Sequence, residues 1–260
     1  MGEGVFITGT DTGVGKTIVT AGLVSLFIDE GLDVGVMKPI ETGCPKRNGR
    51  LIPRDAALLK AVSGSKDSLS LINPYRFSKP LAPLIAAEMD HKNIEFKKIS
   101  SAYKRLRKRH DLIFVEGAGG LLVPLTRKST NLDLILKLNL PVIVVVGSRL
   151  GAVNHTLLTI NWAREKGVKI IGLVINHLYP CPGHRSTLAE KTNPELLRSF
   201  TDVPILGSFP NIPSIFKPYD LRSSLIKILK GAIDLEKIRA QVLYLESVHK
   251  CRNRHILSFP

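Results

Sequence analysis

The sequence predicts one α/β domain: a parallel sheet with helices on both faces, in three layers. Three observations lead there. Short β-branched apolar runs recur along the chain, each run is followed by a stretch of helical period, and most runs lack polar alternation. Strands covered on both faces have that continuous apolar character, and strands alternating with helices imply right-handed β-α-β crossovers. A length of 260 residues, 44% of them hydrophobic, is enough for one sizeable core and does not require two.

Taken in order, the strands are Val5–Thr8, Val34–Lys38, Leu112–Val115, Val142–Val146, Ile170–Ile175 and Pro204–Leu206. The first ends at a glycine-rich turn, the second at Pro39, and the third runs into Gly117. Amphipathic stretches at Lys16–Glu30, Ile94–Arg109, Leu132–Leu138 and Asn154–Lys166 read as the intervening helices, and a short one is expected over Ala56–Ala61. Between Pro39 and Pro83 the chain is irregular and rich in Pro, Gly and Ser. In such folds these loops lie at the carboxyl ends of strands, where ligands bind. Beyond Pro218, two more helices are expected, Leu221–Lys230 and Leu235–His249, then a basic tail. We divide the chain into a main domain, 1–233, and a C-terminal helix and tail, 234–260.

Composition narrows the function classes. The longest apolar run, Leu140–Gly147, is far short of the ~20 residues that span a membrane. Cys44, Cys181 and Cys251 are far apart and form no metal-binding spacing, so reduced thiols in a cytoplasmic protein are expected. Lys and Arg number 37 against 22 acids, a net charge of +15, which favours anionic ligands. Much of it lies in Lys97–Arg109 and in the tail, but no aromatic residues interleave with those cations as base-stacking platforms would require. That basic segment reads as the solvated face of a helix leading into a buried strand, and no nucleic-acid or membrane partner is expected.

The chemistry concentrates in GTDTGVGKT, Gly9–Thr17, between the first strand and first helix. It differs from the phosphate-binding pattern G-x-x-x-x-G-K-[ST] by one extra residue, Thr10 standing where the first glycine is expected. Backbone N–H groups of Gly13, Val14 and Gly15 would face phosphate oxygens at the helix's positive end. Lys16 would reach the β- and γ-phosphates, and the Thr17 hydroxyl could ligate Mg²⁺. A second metal donor is expected at the end of a neighbouring strand, where Glu116 stands before Gly117, Ala118 and Gly119. Asp55 is either a further metal donor or a helix cap. Lys38 closes the second strand, and the turn at Gly151 and Asn154 offers a second helix N-terminus for an anion. On residues alone this is phosphoryl transfer, or ATP-driven activation of a carboxyl-type oxygen.

Together these segments resemble the dethiobiotin synthases, P-loop enzymes of biotin biosynthesis. The stretched loop GTDTGVGKT is part of the resemblance, as are KPIETG (Lys38–Gly43), Asp55, NPYRFSKPLAPLIAA (Asn73–Ala87), VEGAGGLLVPL (Val115–Leu125) and VVGSRLGAVNHTLLT (Val145–Thr159). The likeness spans roughly residues 4–213. It implies joining of CO₂ to 7,8-diaminononanoate with ATP, giving dethiobiotin, ADP and phosphate. It further implies that Thr12, Gly13, Val14, Gly15 and Lys16 cradle the phosphates, with Thr17 and Ile18 completing the nucleotide-contacting run. Thr17, Asp55 and Glu116 would hold Mg²⁺, while Lys38 and Lys16 would be catalytic. Thr42 would contact the substrate, and Gly117, Ala118 and Gly119 would line the crevice. Leu150, Gly151 and Asn154 would bind the substrate carboxylate across a homodimer interface. The base would lie near Asn176, His177, Pro210 and Asn211. Here the sequence departs from the family pattern, with His177 where an Asp is expected and a loosely matched FPNIP. A partition-type switch ATPase is the nearest rival, but its signature lysine position holds Asp11.

Overall fold

A computed structural model describes residues 3–177, 188–210 and 218–242. Six parallel strands form the central sheet: β1 (Glu3–Gly9), β2 (Val34–Met37), β3 (Leu112–Gly120), β4 (Val142–Gly147), β5 (Ile170–Asn176) and β6 (Ile205–Phe209). Their order across the sheet is β6-β5-β4-β1-β3-β2. The six expected strands all form, because each carries a run that both helical layers can cover. The largest shift is in β3, which continues through Glu116 to Gly120.

Register sets the functional rim. Gly9 lies opposite Val145 on one side and Gly120 on the other, Ile7 pairs with Glu116, and Gly147 with Asn176. The carboxyl ends of four central strands therefore share one edge, and the order reverses direction around β1. That is the crevice in which open α/β sheets bind ligands.

Among the described residues the helices up to residue 229 are α1 (Lys16–Asp29), α2 (Arg54–Ser63), α3 (Leu69–Ile72), α4 (Pro83–Met89), α5 (Phe96–Arg107), α6 (Asn131–Leu138), α7 (Ala152–Glu165), α8 (Leu188–Phe200) and α9 (Pro218–Leu229). Side chains on alternate strand positions feed two cores. Val5, Ile7 and Phe114 pack against α1, α2 and α9; Phe6, Ile113 and Val144 pack against α5, α6 and α7. α1 is apolar nearly all round because the sheet, α2 and α9 enclose it. A methyl group on Gly22 would come within 2.5 Å of the Phe209 ring, so that helix sits directly on β6. The boundary at 233 falls where Ile233 bridges to Gly207, and Ile238 and Val242 beyond it are buried in the same core. The expected helix Leu235–His249 is described only over 235–242.

Residues 39–83 contain more structure than composition suggested. Ile40–Glu41 pairs in parallel with Tyr75–Arg76, and the ladder continues through Phe77 N–H to Glu41 carbonyl and Cys44 N–H to Phe77 carbonyl. Buried Asn73 donates to the carbonyls of Lys38 and Tyr75. At the opposite rim, His110 is held between Asp33 (2.9 Å) and Asp67 (2.7 Å), and Asp67 also pairs with Arg109. Burial would depress the His110 pKa, but the bonds to Asp67 and Asp33 outweigh it and raise it. α5 has the solvated basic face expected of Lys97–Arg109, its apolar side burying Ile99, Ala102, Tyr103 and Leu106. Among the described residues no helix is long and apolar enough to cross a membrane. Cys44 is a buried free thiol; Cys181 and Cys251 lie outside the described residues.

Candidate active site

The loop after β1 turns back on itself through left-handed glycines at Gly13 (φ 78°) and Gly15 (φ 84°), the latter being the N-cap of α1. A side chain at either position would be strained. At Gly15 it would also meet the Asn176 amide nitrogen, 2.0 Å from an added Cβ. That amide, at the end of β5, donates to the Val14 carbonyl (2.9 Å) and ties the loop to the sheet. Lys16 is buried and its ammonium spans the loop to the Asp11 carbonyl (3.0 Å). Burial, and next the neighbouring Lys38, lower its pKa from 10.5 to about 8 against the pull of Glu116, Asp55 and Asp11.

Behind the lysine lies a compact polar cluster. The Thr17 hydroxyl donates to Glu116 Oε1 at 2.8 Å, and the Lys38 ammonium bonds that same oxygen. Lys38 also pairs with Asp55 Oδ2 at 3.2 Å. Burial would depress the Lys38 pKa, but Glu116 and Asp55 more than offset it and hold the ammonium well above the ordinary lysine value. Glu116 is fully buried, and its second oxygen, Oε2, has no hydrogen-bond partner. A buried carboxylate oxygen left over in this way has the chemistry of a cation ligand. With the Thr17 hydroxyl and Asp55 it makes a set of hard oxygen donors suited to Mg²⁺. Among the described residues no three His, Cys, Asp or Glu side chains gather to hold a metal.

Several supporting residues were not evident from the sequence. Glu41, itself buried, accepts the backbone N–H groups of Asp55 and Ala56, each at 3.0 Å. It therefore caps α2, and Asp55 does not. Burial raises the Glu41 pKa despite those two bonds. Asn131 donates to the carbonyls of Ala118 (2.6 Å) and Gly120 (2.8 Å), fixing the glycine segment after Glu116. A Cβ on Gly119 would lie 3.1 Å from the Thr12 hydroxyl, so Gly117–Gly120 runs beside the loop. Asp11 uses one oxygen for the Thr12 N–H and the other for Arg149 (2.8 Å), linking the loop to the turn after β4.

The structure thus brings together Thr12, Gly13, Val14, Gly15, Lys16, Thr17, Lys38, Asp55, Glu116 and Gly119. Ile18 follows in the first turn of α1, and Thr42 is half-buried beside left-handed Gly43. Leu150, Gly151 and Asn154 form the exposed start of α7, Gly151 being its left-handed N-cap. His177 donates its backbone N–H to Phe209, and Pro210 is exposed. Asn211 lies outside the described residues.

A parallel sheet with a glycine loop between β1 and α1, a Lys-Thr pair at its end and an acid on the neighbouring strand defines the P-loop NTPase class. Likeness to solved structures is consistent with that class at the level of fold. MinD complexed with Mg-ADP from Pyrococcus horikoshii has a TM-score of 0.54 at 17% identity, covering 91% of this chain and 89% of that one. MinD from Aquifex aeolicus gives 0.53 at 13% identity, covering 92% and 97%. Residues 3–218 match the family described as AAA domain. Sequence relatives are more specific. The ATP-dependent dethiobiotin synthetase BioD of Thermodesulfovibrio yellowstonii is 43% identical over 84% of this chain and 92% of its own. That of Bacillus subtilis is 37% identical over 92% and 99%. The chain belongs to the ATP-dependent dethiobiotin synthetase family, ligases that form C–N bonds.

Proposed function

We propose that the chain joins CO₂ to 7,8-diaminononanoate with MgATP, giving dethiobiotin, ADP and phosphate. The observation that carries this reading is the convergence of Thr17, Lys38, Asp55 and Glu116 beside Lys16. One substrate amine adds to CO₂ and, after losing a proton, becomes a carbamate. A carbamate oxygen attacks the γ-phosphorus and ADP departs, leaving a carbamic–phosphoric anhydride. The second amine attacks the carbonyl carbon and expels phosphate, closing the cyclic urea.

The protein's part is positioning and charge. Backbone N–H groups of Gly13, Val14 and Gly15 hold the β- and γ-phosphates, and Lys16 neutralises the charge that builds between them. Lys38, buried beside Lys16 and Glu116, would stabilise both anions where carbamate and γ-phosphate meet. Thr17, Asp55 and Glu116 would hold Mg²⁺, which when bound would supply further charge neutralisation at the phosphates. No covalent protein intermediate is needed.

The proposal includes a homodimer with the substrate site at its interface. Leu150, Leu158 and Trp162 share one side of the α7 region and are 90%, 62% and 43% exposed, an apolar stripe beside Asn154. A second copy covering it would bring the start of α7 to its partner's crevice.

The test is ADP release by the purified protein with MgATP and bicarbonate, with and without the diamine, and the product mass. Strict dependence on diamine with one dethiobiotin per ADP is expected. Hydrolysis indifferent to the diamine but raised by DNA would overturn the reading in favour of a switch ATPase.

A further inference from the structure

We infer that Glu41 is the positioning residue for the Asp55 metal ligand, an inference resting on the proposed role of Asp55. α2 starts at Arg54, and its N-cap is Pro53, which offers no side-chain acceptor. The N–H groups of Asp55 and Ala56 are the second and third of the helix, those that a capping side chain ordinarily satisfies. Here both are taken by the two oxygens of one carboxylate 14 and 15 residues away. Glu41 is 5% exposed and lies on the short strand paired with Tyr75–Arg76, so its own position is fixed.

The consequence lies in what Asp55 is freed to do. An Asp in a first helical turn with no cap competes for its own backbone donors. With those donors occupied, the Asp55 carboxylate, itself 43% exposed, turns to the buried Lys38, 3.2 Å away and next to Glu116. Glu41 also places negative charge at the helix's positive end, which stabilises the first turn that aims Asp55. A carboxylate one shell out orients the ligand while touching neither metal nor substrate.

The experiment measures affinity for a fluorescent ADP analogue over a range of Mg²⁺ concentrations, so no turnover is needed. Wild type is expected to gain affinity with Mg²⁺, and Asp55→Asn to lose most of that gain. Glu41→Gln turns an amide NH₂ towards a backbone donor. It should need roughly tenfold more Mg²⁺ for the half-maximal gain, the lower end for such outer-shell partners, with Mg²⁺-free affinity unchanged. The double variant should be no worse than Asp55→Asn alone, because both act on one ligand. Pro53→Ser in the Glu41→Gln background restores a cap from the chain itself and should recover part of the Mg²⁺ response; Pro53 is already extended (φ −78°, ψ 101°), as a cap must be. A wild-type Mg²⁺ response in Asp55→Asn would overturn the ligand assignment. If Asp55→Asn shifts but Glu41→Gln only lowers melting temperature, or the two losses add, Glu41 is a scaffold residue and the inference is overturned.

Discussion

Replacing Lys38 by Gln tests the centre of the site in both stability and rate. Lys38 is 4% exposed, and its ammonium neutralises Glu116, which is fully buried, as well as Asp55. Removing one partner of a buried pair costs about 3–5 kcal/mol, because the other charge is left uncompensated. The lower end applies here: Thr17 still donates to Glu116, and Asp55 is 43% exposed to water. At 2–4 °C per kcal/mol for a domain of this size, about 3 kcal/mol lowers the melting temperature by roughly 6–12 °C in Mg²⁺-free buffer. Saturating MgADP should shrink that deficit, since the divalent cation would then neutralise the same carboxylates. Losing the cation where transition-state charge develops should cost roughly 10²–10³ in kcat, or about 2.7–4 kcal/mol. Nucleotide affinity should stay near wild type, because Lys16 and the loop are untouched. The sign with pH also follows. A lysine whose folded pKa is raised gives its full stabilisation below the ordinary lysine value and loses it only above, so the deficit should be flat from pH 6 to about 7, below the range in which Lys16 titrates. Calorimetry and steady-state kinetics on one preparation decide the matter. Wild-type kcat, or an unchanged melting temperature without Mg²⁺, would refute the reasoning.

Other expectations follow from the same geometry. Lys16, with a folded pKa of about 8 against 10.5 unfolded, makes the folded protein bind fewer protons between those values, so stability should rise with pH there. Lys16→Met should abolish that rise in a pH series of thermal melts. Gly15→Ala imposes a left-handed conformation on a side chain that also meets the Asn176 amide; nucleotide binding should be lost in a titration while the protein stays folded. For His110 the pKa is raised, so its stabilisation is complete below about 6.5 and fades as pH rises through the folded value. Melts of His110→Gln should show a weaker pH dependence there. Leu158→Asp should dissociate the proposed homodimer, checked by light scattering, and an unaltered mass would exclude this face of α7.

The strands were legible because both their faces are covered, leaving no polar alternation to blur the runs. The loop, Glu116 and Lys38 could be read for a related reason: a strand end next to glycine or proline fixes where a side chain must point. α3 and α4 were hidden in the Pro-rich stretch, although Pro83 at the start of α4 is a helix-opening signal. α8 has Pro194 in its interior, which masks its period. Glu41, Asn73 and Asn131 could not be found by pattern. Each bonds backbone that only tertiary folding brings near, and a lone polar residue in an apolar segment looks the same whether it is buried and bonded or simply exposed. For Asp55 the sequence left two possibilities open, cap or ligand; the structure assigns the cap to Glu41.

The ladder joining residues 38–44 to 73–79 has a consequence for chimeras between members of the family. Lys38, Glu41 and Thr42 hang from one side of that ladder, Asn73, Tyr75 and Phe77 from the other, and the bonds across it run from backbone to backbone and from amide to backbone. The two segments form one inheritable cassette although 28 residues separate Cys44 from Asn73. Grafting KPIETG alone from a relative would transplant the buried lysine without its seat, whereas exchanging both segments together carries lysine, cap and seat as a single part.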